Sequence, residues 1–117
     1  MSKKQGALPL AAADHAAKSC STVGNPALDK VRVFQTPKGR QLAVVVENQS
    51  LRVFVEPLGS GVTRHHWSAR KVYTSDDTRN SNLKFEGCRL GLGFDADYLV
   101  FPNLTAFQRF LDWYKTL

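Results

Sequence analysis

A chain of 117 residues has room for one domain and not two. Its composition, 43% hydrophobic and 22% charged, is that of a globular protein. No apolar run reaches the roughly 20 residues that a membrane-spanning helix needs, which argues against a membrane partner. The formal net charge is +6, and its distribution is uneven. Residues 1–30, 31–58 and 59–82 each hold four basic and two acidic side chains, whereas residues 83–117 hold four of each. The whole excess therefore precedes Asn82, a bias that favours a polyanionic partner, although solubility alone would also account for it.

Residues 1–28 are rich in Ala, Ser, Gly and Lys and carry only two leucines before position 28. They read as a flexible N-terminal segment with at most one short helix, around Leu10–Lys18, ahead of a single domain at 29–117. Met1-Ser-Lys-Lys and Ala7–Ala13 faintly imitate a signal peptide, but Pro9 interrupts the apolar run and Asp14 and His15 end it. A cytoplasmic protein is expected. Cys20 and Cys88, a lone pair far apart in the chain, make neither a disulfide framework nor a zinc motif, and a reducing compartment fits them.

Val31-Arg-Val-Phe34 alternates as a strand, and Thr36-Pro-Lys-Gly39 marks a turn. The run Gln41–Pro57 reads as a hairpin. Setting Val46 opposite Leu51 pairs Val44 with Val53 and Leu42 with Val55 on one face. The other face then carries Val45 with Arg52, Ala43 with Phe54, and Gln41 with Glu56. With Val31–Phe34 added, a three-stranded meander is expected, with Arg32, Phe34, Arg52 and Phe54 together on its second face. Such a face either binds single-stranded nucleic acid or lies beneath another layer.

After Gly59-Ser-Gly61, residues 62–74 hold one strand near Arg70–Thr74, and Ser75–Asn82 is a polar loop. Leu83–Glu86 and Cys88–Phe94 read as two short strands. In the second, Cys88, Leu90, Leu92 and Phe94 share a face, and Gly91 and Gly93 allow a close approach or a bend on the other. Tyr98–Phe101 is the last strand. A helix follows from Leu104 to Leu117, capped by Asn103 or by a Thr105–Gln108 capping box. Its Phe107, Phe110, Leu111 and Tyr114 fall at i, i+3, i+4 and i+7, and Leu104, Trp113 and Leu117 widen the arc. The helix is expected to cover the valine face of the meander. Burying five such side chains contributes on the order of 10 kcal/mol before entropy is subtracted, with Trp113 among the important ones. The expected fold class is α+β: an antiparallel sheet of five or six strands, open or curled into a partial barrel, packed by a C-terminal helix.

Two places hold chemistry-bearing residues. Arg64, His65, His66, Trp67, Arg70, Lys71 and Tyr73, with Arg79, mix cations and aromatics on one segment, and Lys38 and Arg40 add two cations at the first turn. Cations meet phosphates or guanine edges, and rings stack on bases. The competing reading is a surface loop pinned by a buried Trp67. Histidine can move protons, but adjacent His65 and His66 on an extended chain point oppositely, so a catalytic pair is disfavoured. Asp76, Asp77 and Glu86 are oxygen donors a metal could use, yet paired Asp in a polar loop is ordinarily a solvated turn. Gly91-Leu-Gly93 lacks the Lys-Ser/Thr of a phosphate loop.

The leading expectation is a small basic non-enzymatic module that binds DNA or RNA, with no catalytic residue, metal or cofactor. Its main rival is a protein-interaction or homodimerisation module, using the hairpin edge and the last helix. A third option is a small hydrolase or ligand-binding cup lined by Tyr98, Phe94 and His66.

Overall fold

The computed structural model describes residues 6–24, 30–47, 49–59, 66–79, 83 and 87–117. Among them, two helices and six strands run in the order α1 (Ala7–Ala17), β1 (Ser21–Val23), β2 (Val31–Gln35), β3 (Gln41–Val45), β4 (Leu51–Val55), β5 (Ala69–Tyr73), β6 (Ala96–Phe101) and α2 (Leu104–Tyr114). The strands form one antiparallel sheet in the order β1-β2-β3-β4-β6-β5. The fold is α+β. The sheet is open, not a barrel, and its edges are β1 and β5.

The central hairpin has the register its alternation predicts: Leu42 faces Val55, Ala43 faces Phe54, Val44 faces Val53 and Val45 faces Arg52. Leu42, Val44, Val53 and Val55 point to the helices and join Leu99 and Phe101 in one core. Asn103 caps α2 by accepting the Ala106 N–H at 2.8 Å, and Phe107, Phe110, Leu111 and Tyr114 seat the helix on that face, all fully buried. Trp113 is only half-buried and lies at the margin. Phe110, rather than Trp113, is the hub of the aromatic cluster.

Residues 7–17, which composition set apart from the domain, lie in the same core. Helix α1 buries Pro9, Ala12, Ala13 and Ala16 beside α2 and the sheet. Alanine has no bulk to hold a helix off a sheet, so a segment poor in large side chains still packs by close approach. Pro9 is tolerated because it sits in the first turn, where no intrahelical N–H bond is lost. Strand β1 extends the sheet from the same stretch by pairing with β2.

The other sheet face has its own core, in which Val31, Val33, Ala43, Val45, Phe54 and Ala96 are covered by Leu83, Cys88 and Leu90. Two expectations are corrected here. First, Cys88–Phe94 is no strand but a series of turns and bends. Gly93 takes a φ of 100°, and a Cβ at Gly91 would stand 2.8 Å from the Leu83 carbonyl oxygen, so both glycines serve a folded loop. Cys88 and Leu90 are buried by that loop, while Leu92 and Phe94 are each 45% exposed. Residues 84–86 of the neighbouring predicted strand lie outside the described residues. Second, Phe34 faces Leu42 and Arg32 faces Val44, so these two sit on the helix side, opposite to Arg52 and Phe54. The four do not form one basic–aromatic face, and Phe34 and Phe54 are buried in different cores.

A polar strap ties the loop to the sheet. Buried Gln41 donates from Nε2 to the Gly87 carbonyl at 2.7 Å and accepts the Arg89 N–H on Oε1 at 2.7 Å. Its own N–H goes to Glu56 Oε2, which also pairs with Arg89 at 3.1 Å. Tyr114 completes the strap, accepting the Glu56 N–H at 3.0 Å and donating to the Gln41 carbonyl at 2.6 Å. Burial pushes the Tyr114 phenol well above its usual range, although the Glu56 N–H bond acts the other way. Because the folded state holds this proton more tightly than the unfolded chain, its contribution is complete below about pH 10 and is lost as pH rises further. Denaturation midpoints between pH 9 and 11 should fall more steeply for the wild type than for Tyr114→Phe. Burial also raises the thiols of Cys20 and Cys88, and their loss has the same sign but is common to both proteins.

Candidate functional site

The sequence-predicted residues scatter into three places, with Arg64 and His65 lying outside the described residues. Lys38 and Arg40 sit on the β2–β3 turn, three strands across the sheet from β5. Lys38 donates to the Thr116 carbonyl at 3.0 Å. Half-buried Arg40 interacts with the Tyr114 hydroxyl. Both serve the end of α2. Half-buried Trp67 packs on the helix-side core with its ring 6.0 Å from Phe110, edge-on, and half-buried His66 precedes it. Trp67 thus packs the start of its described segment against the helix-side core.

Arg70 faces the helix side of the sheet, where it pairs with Asp97 at 2.8 Å. The Asp97 side chain is 2% exposed, and its carboxylate also accepts the Leu58 N–H at 3.0 Å. The Arg70 guanidinium reaches the Gly59 carbonyl at 3.1 Å and lies 6.0 Å from the Trp67 ring. This pair closes one wall of an open cavity of about 510 Å³ between the β4–β5 connection and the β5–β6 edge, where Pro57, Val72, Thr74 and Asp95 also line it. Val72, 57% exposed, is its apolar side. The expected cup of Tyr98, Phe94 and His66 is not formed: Phe94 precedes β6, whereas the segment after His66 joins β6 near its far end, Ser68 bonding the Val100 carbonyl.

The opposite face of β5 gathers the remaining residues. Lys71 faces Tyr98 across the β5–β6 pair, and Tyr73 faces Ala96. The Lys71 ammonium lies 4.7 Å from the Tyr73 ring centroid and the Arg79 guanidinium 5.1 Å. The Tyr73 and Tyr98 rings meet edge-on at 6.3 Å, and Phe54 supports both, at 5.8 and 4.9 Å. Tyr73 and Tyr98 are half-buried and Lys71 is exposed, whereas Leu83, Cys88 and Leu90 cover the inner strands.

Local chemistry fixes the corner. Asp77 closes the turn after β5 by accepting the Thr74 N–H at 2.8 Å and its hydroxyl at 3.1 Å. These bonds, helped by Arg79 and Lys71, hold its carboxyl below the usual carboxylate range. Arg79 donates to the carbonyls of Leu90, Thr74 and Asp77. These carbonyls fix the guanidinium, and the Asp77 carboxylate nearby offsets part of its charge and of that on Lys71. Asp76 is an exposed turn residue, and Glu86 lies outside the described residues. Among the described residues no three His, Cys, Asp or Glu side chains gather as metal ligands, and no helix is long and apolar enough to cross a membrane.

Sequence reasoning found Lys71, Tyr73 and Arg79 as neighbours in one segment but missed Tyr98 as their partner. It also missed Asp97, whose burial beside Arg70 has no local sequence signal. Compared with protein-family models, curated proteins and solved structures, the chain has no match.

Proposed function

We propose that the protein is a small basic non-enzymatic module that binds nucleic acid, in a regulatory or accessory role, through the corner made by β5, β6 and the turn at 74–79. The observation that supports this is the convergence of Lys71 and Arg79 on Tyr73, with Tyr98 beside it. Arg79 is held by carbonyls and shares its charge with exposed Asp77, which a phosphate can displace as counter-ion, and the chain carries a net charge of +6. The two cysteines are buried free thiols, which suits the reducing cytoplasm expected for it.

The test is fluorescence anisotropy with labelled DNA and RNA at graded salt. Lys71→Glu should weaken binding about tenfold and flatten the salt slope by about one. Arg109→Glu, at an exposed position on α2, should leave affinity nearly unchanged. Absence of binding even at low salt overturns the reading.

A protein-interaction module is the second reading. It rests on the open edge of β5 and exposed Val72, not on the β3–β4 hairpin, which is central in the sheet. A homodimer formed by pairing β5 symmetrically about Lys71 would set two ammonium groups opposite each other, which disfavours it. Light scattering discriminates: a dimer insensitive to salt supports this second reading.

A further inference from the structure

Which form of nucleic acid the corner suits follows from what it lacks as much as from what it holds. Neither helix offers itself to a groove. The apolar face of α2 is committed to the core through Phe107, Phe110, Leu111 and Tyr114, and Arg109 is the only Lys or Arg within the helix. The body of α1 has no Lys or Arg, and its Ala12, Ala13 and Ala16 are buried against the core. A recognition helix would need a cationic outer face aimed at the duplex, and neither helix has one.

The corner offers rings instead. Tyr98 and Tyr73 are partly exposed on one side of the sheet, braced from the side by buried Phe54, the cross-strand neighbour of Tyr98. Lys71 faces Tyr98 in the register and lies over Tyr73. Being exposed and flexible, it can leave the ring to an incoming base and turn its ammonium to the adjoining phosphate. Arg79, fixed to three carbonyls, supplies a stationary second charge. Base faces are available for such stacking only where bases are unpaired, since in a duplex each is covered by its neighbours. A duplex could use only the two cations, and phosphate contacts so few give weak, salt-sensitive binding.

We propose that the ligand of this corner is an unpaired nucleic acid strand whose bases stack on Tyr98 and Tyr73 while its phosphates meet Lys71 and Arg79. This rests on the nucleic-acid reading above and narrows it to single strands.

The test titrates the full chain with one labelled oligonucleotide, as a single strand and annealed to its complement. The single strand should bind at least tenfold more tightly than the duplex. Tyr98→Ala should weaken the single strand about tenfold and leave duplex binding unchanged, whereas Tyr98→Phe, which keeps the ring, should restore it. Circular dichroism checks folding. If Tyr98→Ala does not fold, Tyr73→Leu should show the same selective loss. Equal or tighter duplex binding, or folded ring-removing variants that hold the single strand unchanged, overturns the inference and leaves the broader reading standing. No binding to either form overturns both.

Discussion

Replacing Phe110 with alanine should cost about 3–5 kcal/mol of folding stability, the range for truncating a fully buried aromatic side chain. Phe110 is 0% exposed and joins elements that are remote in sequence. Its ring lies 5.2 Å from Phe101 of β6, 5.3 Å from Tyr114, 5.9 Å from Trp113 and 6.0 Å from Trp67. Removing it loses the transfer energy of the ring, leaves a cavity beneath α2, and loosens Trp67, which leads into β5. Urea unfolding should show a lower midpoint with an unchanged slope. Trp113→Ala should cost less, because that side chain lies at the margin of the core and already meets water in part. An equal loss at both positions would mean that the aromatic cluster is centred elsewhere.

Asp97→Ala should be the second large effect, about 2–3 kcal/mol. Removing one partner of a wholly buried ion pair costs more, but the Arg70 side chain is 23% exposed and water relieves part of the penalty. The truncation strips the Leu58 N–H of its acceptor and leaves a guanidinium whose Nε is already buried without a hydrogen bond among the described residues. Asp97→Asn keeps an acceptor for Leu58 and should lose less. Pairing Asp97→Ala with Arg70→Met should recover much of the loss, since the uncompensated charge is then gone. A double variant no more stable than Asp97→Ala alone would contradict this account of the pair.

The central ribbon was legible because setting Val46 opposite Leu51 gathers Leu42, Val44, Val53 and Val55 on one face and leaves Arg52 and Phe54 on the other, and one residue of slip would have mixed them. Helix α2 was legible because Asn103 and the 107–110–111–114 spacing agree. The side taken by Phe34 was not. Both sheet faces are buried, so alternation in Val31–Phe34 fits either side. Only the Gln35–Gln41 pairing across the turn decides it. Cys88–Phe94 alternates like a strand, yet Gly91 and Gly93 bend it into a cover over Phe54. A short helix near Leu10–Lys18 was legible, but its place in the core was hidden because its contribution comes from small residues in close contact.

The candidate site was half legible for a related reason. Lys71, Tyr73 and Arg79 lie within nine positions of one another, so a local count of cations and rings finds them. Tyr98 reaches them only through the β5–β6 pairing, and Lys38 and Arg40 are held away by the same sheet order.

The most direct measurement is a nuclear magnetic resonance titration of the protein with a short single-stranded oligonucleotide at low salt. Shift changes should concentrate in Ala69–Tyr73, in the turn through Arg79 and around Tyr98, and should fade as salt is raised. Spectra that do not change, or changes centred on α2 and the Lys38 turn, would contradict the assignment of this corner as the binding surface.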